Sequence, residues 1–282
     1  MIAANEGSRL EREERGAARA RGTLFFDSSG NVVSFPWPER TVPYRFDEKV
    51  TPEMRLVVRE GMNAIERHSC VRFELYDTEA HEGKVFLDVV ALETRFCRAS
   101  LGYRPNQKRI LGLHQKCCKR KFIVLHELLH ALGMMHTHQR NDRNEYVEIY
   151  RDNIIPDYLD QYNTIFSEYY GLPYDFKSVM HYGAQAFVRK DANHTMRPRE
   201  IKDASGAMAP LLTLARKKKM SRGDIAWLNR VYGCSRLYLG DDLPGAVAYK
   251  DWLKSEQAKQ NYEMLHYIVP DEVISTSQMS LN

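Results

Sequence analysis

His126-Glu127-Leu128-Leu129-His130-Ala131-Leu132-Gly133-Met134-Met135-His136 is the stretch that decides how this chain folds, and it reads H-E-x-x-H-x-x-G-x-x-H. Side chains four apart on a helix share a face, so His126 and His130 can grip one ion together. Glu127, beside the first of them, is placed to act as a general base next to that ion. Gly133 lets the chain leave the helix, because glycine tolerates the left-handed conformation of a C-cap. The turn then brings His136 round as a third ligand. Three protein ligands leave one position open, which is how a catalytic zinc site differs from a structural one. With 10 His and 16 Gly among 282 residues, demanding the third His cuts chance matches roughly 30-fold and demanding the Gly roughly another 18-fold.

The flanks agree with this reading. Residues 119–132, KRKFIVLHELLHAL, hold good helix formers and no internal Gly or Pro. Phe122, Val124, Leu125, Leu128, Leu129 and Leu132 wrap most of the helix surface, so it belongs in the middle of a domain. Upstream, Thr51-Pro52 opens a helix with a capping residue and a first-turn proline. Met54, Val57, Val58, Met62 and Ile65 give that helix an apolar face. Val71, Phe73 and Leu75 alternate with polar residues as a half-buried strand does, and residues 84–92 and 109–113 read as two more strands. Together these predict a twisted sheet with two helices, in a lobe that ends at Gly133. Downstream, Ile154, Tyr158, Tyr162, Ile165 and Tyr169 recur at helical spacing over 153–169. Ser221 opens a last helix with Asp224 three residues on, a variant of the capping box. Residues 246–265 are predicted helical.

Composition sets outer bounds. A chain of 282 residues that is 43% hydrophobic can bury a full core in one large domain or two lobes. A net charge of +4 is mildly basic and gives no pointer to nucleic acid. The basic runs at 116–121 and 216–219 read as solvated surface, with contacts to anionic substrates or surfaces as the alternative. No apolar run approaches the ~18 residues of a membrane helix. Residues 1–21 are charged and lack an apolar h-region, so they do not read as a secretory signal. Asn193-His194-Thr195 is a glycosylation sequon.

The residues around the third His resemble those of the astacin family, metzincin zinc endopeptidases that carry a methionine turn under the metal. Arg140, Asp142, Arg143, Tyr146 and Val147 match the family run H-E-x-x-R-x-D-R-D-x-Y-V. Ser178-Val179-Met180-His181-Tyr182-Gly183 resembles the S-x-M-H-Y-G methionine turn. Trp37, Thr41-Val42-Pro43-Tyr44, Ser69-Cys70-Val71-Arg72-Phe73, Tyr174-Asp175-Phe176, Met220-Ser221, Asp224-Ile225 and Tyr232-Gly233-Cys234 match further family segments. The similarity covers about residues 28–235.

The resemblance implies an α+β, two-lobed metzincin fold. A twisted N-terminal sheet would carry two long helices, one of them the zinc helix, and a mostly irregular C-terminal lobe would end in a helix. It implies one catalytic zinc ion on His126, His130 and His136, with Tyr182 as a fifth, switchable ligand whose hydroxyl helps hold the oxyanion. Glu127 and Tyr182 would be the catalytic pair, and Met180 would pack beneath the metal. The family pattern implies disulfides Cys70–Cys234 and Cys97–Cys118. Cys117 is then left over, to exchange with Cys118, stay free or join another chain. Disulfides imply an oxidising, extracellular compartment.

The domain reading follows: residues 1–27 as a mobile propeptide-like segment, 28–235 as the catalytic domain, and 236–282 as a tail without a recognised module. The expected activity is zinc-dependent hydrolysis of peptide bonds in extended protein substrates by a metal-activated water. By the resemblance, the substrate would pair with an edge strand of the upper sheet, either 96–102 or its neighbour. The expected protein is a secreted monomer whose partners are protein or peptide substrates, with no nucleic acid and no membrane span. Two departures from the family bear on maturation. Thr137 stands where the family has a Glu that receives the new N-terminus after propeptide removal, and threonine has no charge to pair with an ammonium. No F-x-G-D latency motif is present; Phe25-Phe26-Asp27 is a poor substitute. His138 is expected to be a partly exposed neighbour of the site. The alternative function is a protein of the same fold that keeps zinc without catalysis, against which Glu127 and Tyr182 argue. A zinc hydrolase with a distant Glu as third ligand would leave His136 unexplained.

Overall fold

The structure is a computed structural model that describes residues 19–21, 24–26, 32–94, 96–165, 169–199 and 218–255, with side chains from residue 35 onward other than that of Cys117. The chain opens with three short antiparallel strands, β1 (Arg19–Arg21), β2 (Leu24–Phe26) and β3 (Val32–Ser34), in the order β1-β2-β3. Two of them fall in the segment expected to be mobile. Leu24-Phe25-Phe26 and Val32-Val33 are aromatic or branched runs of the kind that suit a pleated ladder. The rest of residues 1–27, Asp27 included, lies outside the described residues.

The main sheet is built from β4 (Thr41–Phe46), β5 (Arg72–Leu75), β6 (Leu87–Ala91), β7 (Arg98–Ala99) and β8 (Arg109–Leu113). Its order is β5-β4-β6-β8-β7, with every pair parallel except the last. Parallel neighbours need a crossover, and helix α1 (Pro52–Glu66) supplies it between β4 and β5. The Thr51 hydroxyl accepts the Met54 N–H at 3.3 Å, and Met54, Val58, Met62 and Ile65 are buried, as the apolar spacing predicts. The antiparallel strand β7 closes one edge of the sheet, and it lies within the 96–102 stretch expected there.

A short helix α2 (Gln115–Cys118) leads into the central helix α3 (Lys121–Ala131), buried from Ile123 to Ala131. Helices α1 and α3 approach closely at Gly61, where an added Cβ would stand 2.7 Å from a Leu128 methyl carbon. Helix α3 ends in a Schellman turn. Met134 N–H donates to Leu129 O at 2.9 Å, Gly133 N–H to His130 O at 2.8 Å, and Gly133 has φ +98°. The orphan carbonyls of its last turn are taken by distant aromatic residues. The Trp37 indole donates to Ala131 O at 2.7 Å and the Tyr232 hydroxyl to Leu132 O at 3.1 Å.

The second lobe has little regular structure. Strands β9 (Val147–Ile149) and β10 (Met196–Pro198) pair antiparallel. Helix α4 (Arg222–Val231) follows, and a short helix α5 (Tyr249–Trp252) lies near the end of the described chain. A separate core of Val147, Ile154, Tyr162, Tyr174, Phe176, Tyr182 and Met196 fills this lobe. The α-helix predicted over 153–169 is not formed. Pro156–Tyr162 is a 3-10 helix, and Ile165 is drawn into a bridge with Arg140, its N–H donating to Gln139 O at 2.7 Å. That pairing competes with helical continuation, and the apolar spacing instead serves the packing of Ile154 and Tyr162; residues 166–168 lie outside the described residues.

Cys70 and Cys234 form a disulfide that ties the start of β5 to the end of α4 across 164 residues. The Cys97–Cys118 pairing is not formed: Cys97 is disulfide-bonded, whereas Cys118 keeps a free, buried thiol. Successive helical side chains diverge by about 100°, and the one at position 118 turns into the main core. Burial there pushes its pKa up to about 11. What Cys117 does lies outside the described side chains. The tail packs on the domain as far as residue 255. The fully buried Arg230 guanidinium donates to Leu239 O at 2.7 Å and Val247 O at 3.0 Å and pairs with Asp241 at 2.8 Å. Of the helix predicted over 246–265, α5 is formed, and residues beyond 255 lie outside the described ones.

Candidate active site

Helix α3 places His126 and His130 one turn apart, and the turn at Gly133 returns His136 to them. Nε2 of His136 lies 3.1 Å from Nε2 of His126 and 3.1 Å from Nε2 of His130. All three rings are buried. Each Nδ1 faces an oxygen: Val179 O at 3.0 Å for His126, Met134 O at 2.7 Å for His130 and Gln139 Oε1 at 3.0 Å for His136. An oxygen only accepts, so each Nδ1 carries the hydrogen, and a neutral imidazole has one hydrogen to give. Every Nε2 is therefore bare. Burial holds the rings neutral; His126 is lowered to about 4, and His130 and His136 fall well below the usual histidine value.

Three bare lone pairs converging at this distance repel unless a cation sits among them. Tetrahedral zinc with Zn–N bonds of 2.0–2.1 Å sets its nitrogens about 3.3 Å apart. The donor set therefore fits zinc, and it is the one cluster of three potential metal ligands among the described residues.

Glu127 is buried beside this cluster. Burial pushes its carboxyl up to about 8, against the Ala99 N–H that donates to it from edge strand β7. Gly102 N–H donates to His130 O at 3.0 Å, so the segment that follows the edge strand is laid over the end of helix α3. Tyr182 comes from the other lobe and packs its ring 4.7 Å from that of His136. Its hydroxyl is buried and has no hydrogen-bond partner among the described residues, a defect that a polar or metal ligand would relieve. Met180 is fully buried in the main core, and its carbonyl accepts the Thr137 N–H at 3.1 Å.

Three features were not legible beforehand. His138 is fully buried instead of partly exposed, with its ring stacked 3.9 Å from that of Tyr182. Asp224 does more than cap α4. Its carboxylate accepts from Ser221 N–H at 2.9 Å, Ser178 Oγ at 2.6 Å and Val179 N–H at 2.9 Å. The carbonyl of that same Val179 holds His126, so the cap of α4 also aims a ring of the histidine cluster. Burial and the neighbouring Asp175 push the Asp224 carboxyl up to about 6. The S-x-x-D spacing was a signal for the cap alone. Thirdly, Thr137 lines a cavity of about 60 Å³ behind His136, and the carboxylates facing that cavity are Asp175 and Asp224. Asn193 is exposed on the second lobe, while Thr195 of its sequon is buried.

The peptidase family described as Astacin matches residues 31–233. The chain belongs to the astacin family. Low choriolytic enzyme of Oryzias latipes is 31% identical over 211 residues, which are 73% of this chain and 72% of that one. Zinc metalloproteinase nas-14 of Caenorhabditis elegans is 31% identical over 215 residues, 74% of this chain but 40% of the relative. Among solved structures, the hatching enzyme zinc-protease high choriolytic enzyme 1 of Oryzias latipes superposes with a TM-score of 0.61 at 27% identity, covering 72% of this chain and 94% of that one. The astacin α+β fold and a metalloendopeptidase domain that uses one catalytic zinc follow from membership. Among the described residues no helix is long and apolar enough to cross a membrane.

Proposed function

We propose that this protein is a secreted, monomeric zinc endopeptidase that cleaves internal bonds of extended protein substrates. His126, His130 and His136 would hold the metal, with Tyr182 as an auxiliary ligand. The observation that carries the reading is the convergence of three bare Nε2 atoms beside a buried, base-capable Glu127. Bound zinc supplies a Lewis acid that polarises the scissile carbonyl and acidifies water.

The chain's residues do the rest. The substrate lies extended along the β7 side of the sheet and offers its backbone there as an added strand. Glu127 takes the proton of the attacking water and passes it to the leaving amine. Burial keeps the Tyr182 phenol protonated, well above the usual tyrosine range, so it acts as a donor where negative charge develops on the carbonyl oxygen. The dry walls of the two cores strengthen both interactions. Secretion accords with the Cys70–Cys234 disulfide. Catalysis by residues 28–235 with the packed tail is tested by digesting casein or gelatin with and without a chelator. Cleavage that persists in the chelator, or that Glu127→Gln leaves intact, would refute the reading.

A further inference from the structure

The three imidazoles of the cluster are not held alike. His126 and His130 donate Nδ1–H to main-chain carbonyls, of Val179 and Met134. His136 alone depends on a side chain, the Gln139 amide oxygen at 3.0 Å. An amide can present either its oxygen or its NH2 group. Turned the other way, the NH2 would need Nδ1 as an acceptor and would leave the ring hydrogen on Nε2, where it blocks ligation. The residue that faces His136 therefore decides whether this ring can be a ligand at all.

The backbone of Gln139 is held in place beside His136. The residue is buried, its N–H donates to His136 O at 3.0 Å, and its carbonyl accepts from Ile165 N–H at 2.7 Å. The main chain of the ligand and the main chain of its partner are thus hydrogen-bonded within one 3-10 turn, Thr137–Gln139, and that turn is pinned to the second lobe through Ile165.

We propose that Gln139 is a positioning residue for the metal: its amide oxygen fixes the Nδ1–H tautomer and the ring plane of His136, and so sets zinc affinity. This rests on the zinc reading of the cluster. Gln139 touches neither substrate nor reacting atoms. Partners of this kind change metal affinity by about 10- to 100-fold when removed.

The test is zinc affinity, measured on the full chain by competition with a chromophoric chelator, with near-ultraviolet circular dichroism to report the fold. Gln139→Leu should bind zinc about 10- to 100-fold more weakly than the parent. Gln139→Glu, which can only accept, should bind at least as tightly as the parent. Turnover per zinc-loaded molecule should change less than affinity does. Equal affinity of the parent and a folded Gln139→Leu overturns the proposal. Should the leucine variant not fold, Gln139→Glu decides alone: zinc binding weakened tenfold or more overturns it. A parent chain that binds no zinc overturns the underlying reading first, and is told apart by the absence of any metal-dependent signal.

Discussion

Glu127 shows what one side chain contributes when its surroundings are fixed. It stands next in sequence to a ligating histidine, is buried, and keeps the Ala99 N–H as a donor. Replacing it with Gln keeps the volume and a hydrogen-bonding oxygen but removes the group that accepts a proton. Turnover should therefore fall by about 10²- to 10⁴-fold, the range of a lost general base, while zinc content stays at one per chain. Peptidase assays beside metal analysis of the purified variant check both halves. Gly133 is the other single residue on which the site turns. At φ +98° it holds a conformation that a Cβ disfavours, so Gly133→Ala should cost about 1–2 kcal/mol in urea unfolding. Because the turn carries His136 back to the cluster, the same variant should release zinc to a chelator faster. A variant as stable as the parent would show that the turn is not under steric control.

Elements carry the site through their ends. The C-terminus of α3 is closed by Trp37 and Tyr232, from opposite ends of the sequence, and the N-terminus of α4 holds the methionine turn through Asp224. Asp224→Ala removes the N3 half of the capping box and leaves the Ser221 N–H without its acceptor. It also strands the buried Val179 N–H, a further cost of about 1–3 kcal/mol. The variant should lose stability by several kcal/mol in chemical denaturation, and zinc retention should drop as the Val179 carbonyl shifts away from His126. Full retention of zinc in a folded Asp224→Ala would separate the cap from the site. This coupling explains what was legible in the sequence. The zinc helix, its glycine exit, the first helix and the capping box are local patterns, with donor and acceptor a few residues apart. The spacing of Ile154, Tyr158, Tyr162 and Ile165 was misleading, because Ile165 finds its main-chain partner at Gln139 and the segment settles as a 3-10 helix. The cysteine pairing failed for a similar reason: Cys117 and Cys118 are neighbours in sequence, and only the path of α2 decides that position 118 enters the core. Burial of His138 depends on the second lobe closing over it, which no local pattern encodes.

The whole molecule is closed by two long-range ties. The disulfide Cys70–Cys234 joins the sheet lobe to the end of α4. Beyond it, the chain returns as a strap whose carbonyls and Asp241 satisfy a guanidinium that has no solvent exposure. Tyr249 donates its hydroxyl back to Arg230 O at 2.9 Å, Val247 N–H donates to Gly171 O at 2.8 Å, and Trp252 packs its ring 4.8 Å from that of Tyr170. The strap thus holds the segment from Tyr170 to Gly171, which continues through Leu172 and Pro173, the residues whose carbonyls receive the Arg140 guanidinium. Arg140 sits in the turn immediately after Gln139, so the tail supports the third histidine at one remove. A chain ended at residue 235 keeps the disulfide and every candidate site residue, yet takes from Arg230 its acceptors at Leu239, Val247 and Asp241 and the strap that covers it. The loss of those hydrogen bonds and the loss of the apolar cover of Tyr249 and Trp252 both weaken the domain. Compared with a chain ended at residue 255, the shorter one should unfold at clearly lower urea concentration and lose zinc more readily at 37 °C. Superimposable unfolding curves for the two lengths would mean that the domain is complete at Cys234 and that the strap merely lies on it.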